Sequence, residues 1–246
     1  MKNKIILILI CFTSFFSVLK AQNEDKIQVF LQGDLVSSYI WRGIYQTGVS
    51  IQPGFGLGVK GFSFTIWGST DFDGYQVSEG LANKEIDLIL AYIFRDCGLT
   101  ISVADLWWAG QGANKYFNFN SNETAHHFEA GLSYTLPVET FPLSIAWYTM
   151  VAGQDKNKEE KQNYSSYLEF NYPFNLKMVD LNVTCGLVPY RSPQYYIKGF
   201  SVTNVALKGT KVIKITDLFS LPVFVQAIWN PRLEDAHLVF GMTLKP

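Results

Sequence analysis

Beyond residue 21 the chain has no apolar run that approaches the about twenty residues a membrane-spanning helix requires. Charge is scarce too: Asp, Glu, Lys and Arg make up 17% of the residues, where a soluble domain carries about a quarter. Cysteine is nearly absent, with Cys11, Cys97 and Cys185 the three present. That excludes a disulfide-stapled scaffold, and neither Cys97 nor Cys185 belongs to a metal-spaced pair. No basic patch exists, which removes the electrostatic footprint of a nucleic-acid binder. No cofactor motif or metal-ligand spacing is present, so neither a cofactor nor a metal is expected.

What is present begins at the N-terminus. Lys2 and Lys4 precede an almost unbroken apolar run from Ile5 to Leu19, and Ala21 offers a small residue before Gln22. This is the layout of a cleaved secretory signal, and residues 1–21 are assigned to it. Its removal takes away Lys2, Lys4 and Lys20 and no acid, leaving 17 basic against 21 acidic side chains in residues 22–246. Aromatic residues reach 15%. An exported chain rich in aromatics, poor in charge and without a hydrophobic helix points to strands that face lipid. An open sheet cannot do this, because its edges would leave backbone groups unpaired in hydrocarbon, whereas a closed barrel has no edge.

The hydrophobic period is two almost throughout. Phe62, Phe64 and Ile66 alternate with Ser63, Thr65 and Trp67; Val179, Leu181, Val183 and Cys185 alternate with Asp180, Asn182 and Thr184. Such segments fall at about 27–42, 47–60, 62–72, 84–95, 98–108, 124–136, 140–152, 162–173, 178–189, 200–215, 220–230 and 235–245. The spacing predicts an all-β fold, a transmembrane antiparallel barrel of about twelve strands over residues 22–246. In 200–215, Lys208, Gly209 and Lys211 interrupt the alternation and suggest a bulge or a shorter strand. The connections alternate in kind. Those at 60–61, 96–98, 137–140, 173–176 and 217–220 are short, and the others are mostly longer and more polar. Short periplasmic turns and long outer loops are the pattern of outer-membrane barrels, and both ends then lie on the periplasmic side. Aromatics gather near the two ends of the strands, as interfacial girdles do. The expected surroundings are outer-membrane lipid, with small solutes as candidate cargo.

Charged residues on such strands belong on the inner face, since Arg or Lys at the lipid midplane costs about 2–4 kcal/mol. Strand parity places Arg42, Asp71, Glu85, Asp87, Glu129, Glu169 and Asp180 toward the lumen as the candidates for lining or selectivity. Arg42 with Glu85 and Asp87 is the sharpest cluster: a guanidinium fork facing two carboxylates reads as a filter. The other reading of the same three is a structural ion pair that closes a narrow barrel. Gly54, Gly56 and Gly58 alternate on that face and either leave room for a bulky neighbour or open a passage. His126 and His127 point to opposite faces and cannot share a metal. His127 shares a face with Glu129, a pairing that needs no more than a hydrogen bond. A lipid hydrolase would need a His and a Ser together on the lipid-facing wall. His126 and Ser166 have that parity, but no companion Asn or signature spacing goes with them, and no enzymatic activity is expected. The mixed-charge run 153–161 reads as a solvated loop tip.

Ser38-Tyr39-Ile40-Trp41-Arg42-Gly43-Ile44-Tyr45-Gln46, then Ile51-Gln52-Pro53-Gly54, Trp67-Gly68-Ser69 and Glu85-Ile86-Asp87-Leu88, resemble in order and spacing the TorF-type porin family of outer-membrane proteins. The resemblance spans about 38–92, and beyond it only general barrel character and a stretch at 214–222 similar to Bacteroidetes-type barrels remain. The final Lys245-Pro246 departs from the terminal aromatic common in such proteins. The resemblance implies a small-solute pore in the outer membrane and names no solute. A closed structural or surface-interaction barrel is the alternative.

Overall fold

A computed structural model describes residues 26–72, 84–109 and 115–246. The assigned signal segment lies outside them. Twelve strands close into one antiparallel barrel, in the order β1 (Gln28–Val36), β4 (Ser50–Val59), β5 (Phe62–Asp71), β6 (Lys84–Phe94), β7 (Leu99–Trp108), β8 (His126–Thr135), β9 (Ser144–Gly153), β10 (Ser166–Leu176), β11 (Val179–Val188), β12 (Ser201–Lys214), β13 (Ser220–Asn230) and β14 (Asp235–Leu244). Two shorter strands, β2 (Tyr39–Trp41) and β3 (Ile44–Thr47), pair only with each other. Closure runs through β1 and β14, from Gly33 opposite Leu244 to Val36 opposite Gly241.

The wall is apolar outside and polar inside, because each strand alternates. In β4, Phe55, Leu57 and Val59 are exposed while Ser50, Gln52, Gly54, Gly56 and Gly58 face in. Phe62, Phe64 and Ile66 of β5, Ile86 and Leu90 of β6, and Leu238 and Phe240 of β14 continue the outer band. An uncovered apolar belt around a closed sheet is the surface of a membrane-spanning barrel. No helix among the described residues is long and apolar enough to cross a membrane.

Most strand limits fall within a few residues of the periodicity. The turn expected at 173–176 does not form there: β10 continues to Leu176, with Pro173 opposite Asn182. The reversal instead uses Lys177, whose φ of 55° is the left-handed value a two-residue hairpin demands. Lys60 and Gly61 make the same kind of turn, at φ 48° and 88°. β12 runs unbroken for 14 residues, and its irregularity sits at Thr203, which has no partner between Gly186–Asn204 and Leu187–Val202.

The first strand is the main departure. Periodicity carries it to Arg42, but β1 leaves the wall after Val36. Residues 38–48 turn inward as the β2–β3 hairpin, and Val36 opposite Ser50 shows where the wall resumes. Arg42 and Gly43 form the hairpin tip, with φ of 52° and 81°. Gly43 is required twice over: by that φ, and because a Cβ there would run into the Thr203 carbonyl.

Candidate functional site: a plugged lumen

The hairpin occupies the loop end of the barrel and is held chiefly by Arg42. Its Nη1 donates to Glu129 Oε2 at 2.6 Å and its Nη2 to Oε1 at 2.9 Å, a two-pronged charge-assisted pair. Nη1 also donates to the Tyr195 hydroxyl at 2.5 Å. The guanidinium carbon lies 4.5 Å from the Tyr148 ring centroid, 4.7 Å from Trp41 and 4.8 Å from Tyr167. A charge taken out of water this completely needs such a shell, since desolvation would otherwise outweigh its attraction to one carboxylate. Tyr195 arrives from the loop between β11 and β12, on a short 3-10 turn at Pro193–Tyr195, and stacks on Trp41 at 5.5 Å. Burial pushes its phenol pKa upward and keeps the hydroxyl neutral. The Asn230 amide donates to the Gly43 carbonyl at 3.0 Å, tying the tip to β13.

Below the hairpin, aromatic rings fill the lumen by lying across glycines of the next strand. Phe30 is opposite Gly56 and Phe224 opposite Gly241, and in both pairs the ring occupies the space a Cβ would need; Tyr148 is opposite Gly131, where Ser102 Oγ takes that space and the ring packs beside it. Gly56 therefore serves packing rather than passage. Gly54 likewise stands opposite Trp67.

The candidate residues divide accordingly. Arg42 and Glu129 come together. The cluster of Arg42 with Glu85 and Asp87 does not form as expected, because Arg42 has left the wall and spends its fork on Glu129. Glu85 and Asp87 share the inner face of β6, 3% and 0% exposed, and none of their carboxylate oxygens accepts a hydrogen bond. Asp71 is buried at the loop end of β5, opposite Ser50. Glu169 accepts from the Tyr167 hydroxyl at 2.9 Å and the Asn171 amide at 2.7 Å. Asp180 stands apart at the turn-end mouth, exposed and bonded to Asn175.

His127 faces the lumen beside Trp108, and Glu129 is already committed to Arg42. On the outer wall, His126 meets Asp105 at 2.6 Å through Nδ1 and the Tyr116 carbonyl at 2.5 Å through Nε2. Ser166 is on β10 with β9 between them, bonded to Thr149 at 2.8 Å and Tyr190 at 2.5 Å. The two are not brought together. No group of three His, Cys, Asp or Glu among the described residues could hold a metal ion.

Tyr148, Tyr167 and Tyr195 are the site residues that periodicity misses. The hairpin itself did leave a signal: Arg42-Gly43, an X-Gly pair between Tyr-Ile-Trp and Ile-Tyr-Gln, is a two-residue turn flanked by alternating apolar residues.

No family model matches the chain, and no curated protein does. Among solved structures it is similar to OmpF of Salmonella typhi in complex with daunomycin, at 7% identity and a TM-score of 0.37, over 91% of this chain and 98% of that one. So loose a likeness carries no property across; the closed barrel is read from the strand register of this chain.

Proposed function

We propose that the protein is an outer-membrane channel for small solutes, closed in this conformation by its own β2–β3 hairpin. It reaches that membrane through a cleaved signal at residues 1–21, and it works without enzymatic chemistry. The observation that carries the reading is the contrast between plug and wall. The plug is a separate hairpin, while the wall behind it is polar and still encloses a cavity of about 170 Å³. A barrel serving only as a support gains nothing from burying Gln32, Gln52, Asn171 and Asn182 along its inner strips, and an aqueous path does. Since Val36 and Ser50 are paired across the wall, and Ser37 and Val49 still bond to Phe240 and Phe72, residues 38–48 can leave the lumen without breaking closure. The resemblance of 38–92 to TorF-type porins agrees with this reading.

A permanently closed barrel that presents its loops to a partner is the second reading, favoured by the tightness of the Arg42 clamp. Planar-bilayer recordings separate the two. The native protein is expected to show rare, brief openings, and a variant with residues 38–48 replaced by Asn-Gly is expected to conduct steadily. A folded, inserted variant that never conducts would overturn the channel reading in favour of the closed barrel.

A further inference from the structure

The Arg42 guanidinium fills a recess that the wall builds largely without the hairpin. Three consecutive strands contribute to it from their inner faces: β8 gives Glu129, β9 Tyr148 and β10 Tyr167. Tyr148 and Tyr167 stand opposite one another, and Tyr148 packs beside Gly131 of β8. The Asn204 amide donates to the Tyr167 hydroxyl at 3.2 Å, and that hydroxyl donates to Glu169 at 2.9 Å, which pins the ring. Tyr195 adds its hydroxyl from the loop between β11 and β12. Of these neighbours of the guanidinium, Trp41 is the one that travels with the hairpin.

The recess selects a guanidinium over other cations. Both Glu129 oxygens are engaged, by Nη1 at 2.6 Å and by Nη2 at 2.9 Å, and an ammonium, a point charge, cannot supply two parallel prongs. The Tyr148 and Tyr167 rings, at 4.5 and 4.8 Å from the guanidinium carbon, suit a planar and weakly hydrated ion. The attraction of Arg42 also reaches Glu85 and Glu169, both buried. When the hairpin leaves, all three carboxylates lose that charge together, and an acidic recess with low-dielectric walls concentrates cations.

We propose that Arg42 is a tethered stand-in for a small guanidinium-bearing solute, which binds between Glu129, Tyr148 and Tyr167 once the hairpin leaves and so holds the plug out. The two occupants need the same carboxylate oxygens and exclude one another. A ligand that binds only the unplugged state draws the equilibrium toward that state.

The transport role of this solute rests on the channel reading, but its binding can be measured without transport. Ethylguanidinium, which matches Arg42 beyond Cβ, is the probe, and ethylammonium is the control of equal charge. Calorimetry on full-length Arg42→Ala in detergent should show ethylguanidinium binding at millimolar concentration, at least fivefold tighter than ethylammonium. Adding Glu129→Gln should weaken it at least tenfold, whereas adding Asp217→Asn, at the exposed β12–β13 turn, should leave it unchanged. The native protein gives a second measurement that needs no variant. A tethered group competes as though present at about millimolar concentration, so about 20 mM ethylguanidinium should raise its open time in bilayers at least threefold over ethylammonium. Equal affinity for the two cations, or binding that survives Glu129→Gln, would overturn the site. Native openings indifferent to the choice of cation would overturn displacement of the plug. Selective binding by a protein that never conducts would sink the channel and leave the site; conductance without selective binding would do the reverse.

Discussion

At the scale of single residues, Arg42 does the most. It accepts a left-handed φ, which disfavours any residue with a Cβ, and it desolvates a full charge to reach Glu129. Removing one member of such a pair leaves the other buried and uncompensated, at a cost of about 3–5 kcal/mol. Arg42→Ala should therefore release the hairpin, and Arg42→Ala with Glu129→Ala should recover part of the loss. Thermal unfolding of the four proteins of this cycle measures it; strict additivity would show that the two side chains are not coupled. Gly43→Ala tests the same element without touching charge. The added methyl meets the Thr203 carbonyl and a φ of 81°, so open time in bilayers should rise, as is expected of Arg42→Ala. Sequence parity placed Glu129 and Arg42 both inside the barrel but could not pair them. The partner depends on a chain that leaves the wall at Val36, and period two carries no mark of that exit until Arg42-Gly43 is read as a turn.

At the scale of elements, the strands were legible because lipid on one side and a polar lumen on the other force strict alternation. The loops were not, because their folding depends on contacts distant in sequence. The segment 115–125 illustrates this. His126 is buried on the outer wall with Phe119 stacked on it at 4.4 Å, and both ring nitrogens face acceptors, the Asp105 carboxylate and the Tyr116 carbonyl. These contacts tie the segment to the wall through one side chain. Limited proteolysis after Lys115 should be slow in the native protein and faster in His126→Phe, which keeps a ring but loses both polar contacts; equal rates in the two proteins would remove the latch.

At the scale of the whole molecule, closure and the exposed apolar belt define one another. A barrel with no edge can stand in hydrocarbon only if its outward side chains are apolar at the depth where the hydrocarbon lies. Leu90, near the middle of β6, is 49% exposed on that face, while Phe94 is 40% exposed at the turn end of the same strand. If the belt spans a bilayer, a charge at these positions should differ in cost by depth rather than by exposure. Leu90→Arg should lose about 2–4 kcal/mol and Phe94→Arg about 0–1 kcal/mol. Urea titration of protein reconstituted in phospholipid vesicles reads both values from one strand. Equal costs at the two positions would mean that β6 does not cross the bilayer along its length. A soluble barrel would show no such difference, since surface arginines in water cost little wherever they stand. The experiment therefore tests the orientation of the strand in the membrane independently of what the lumen carries.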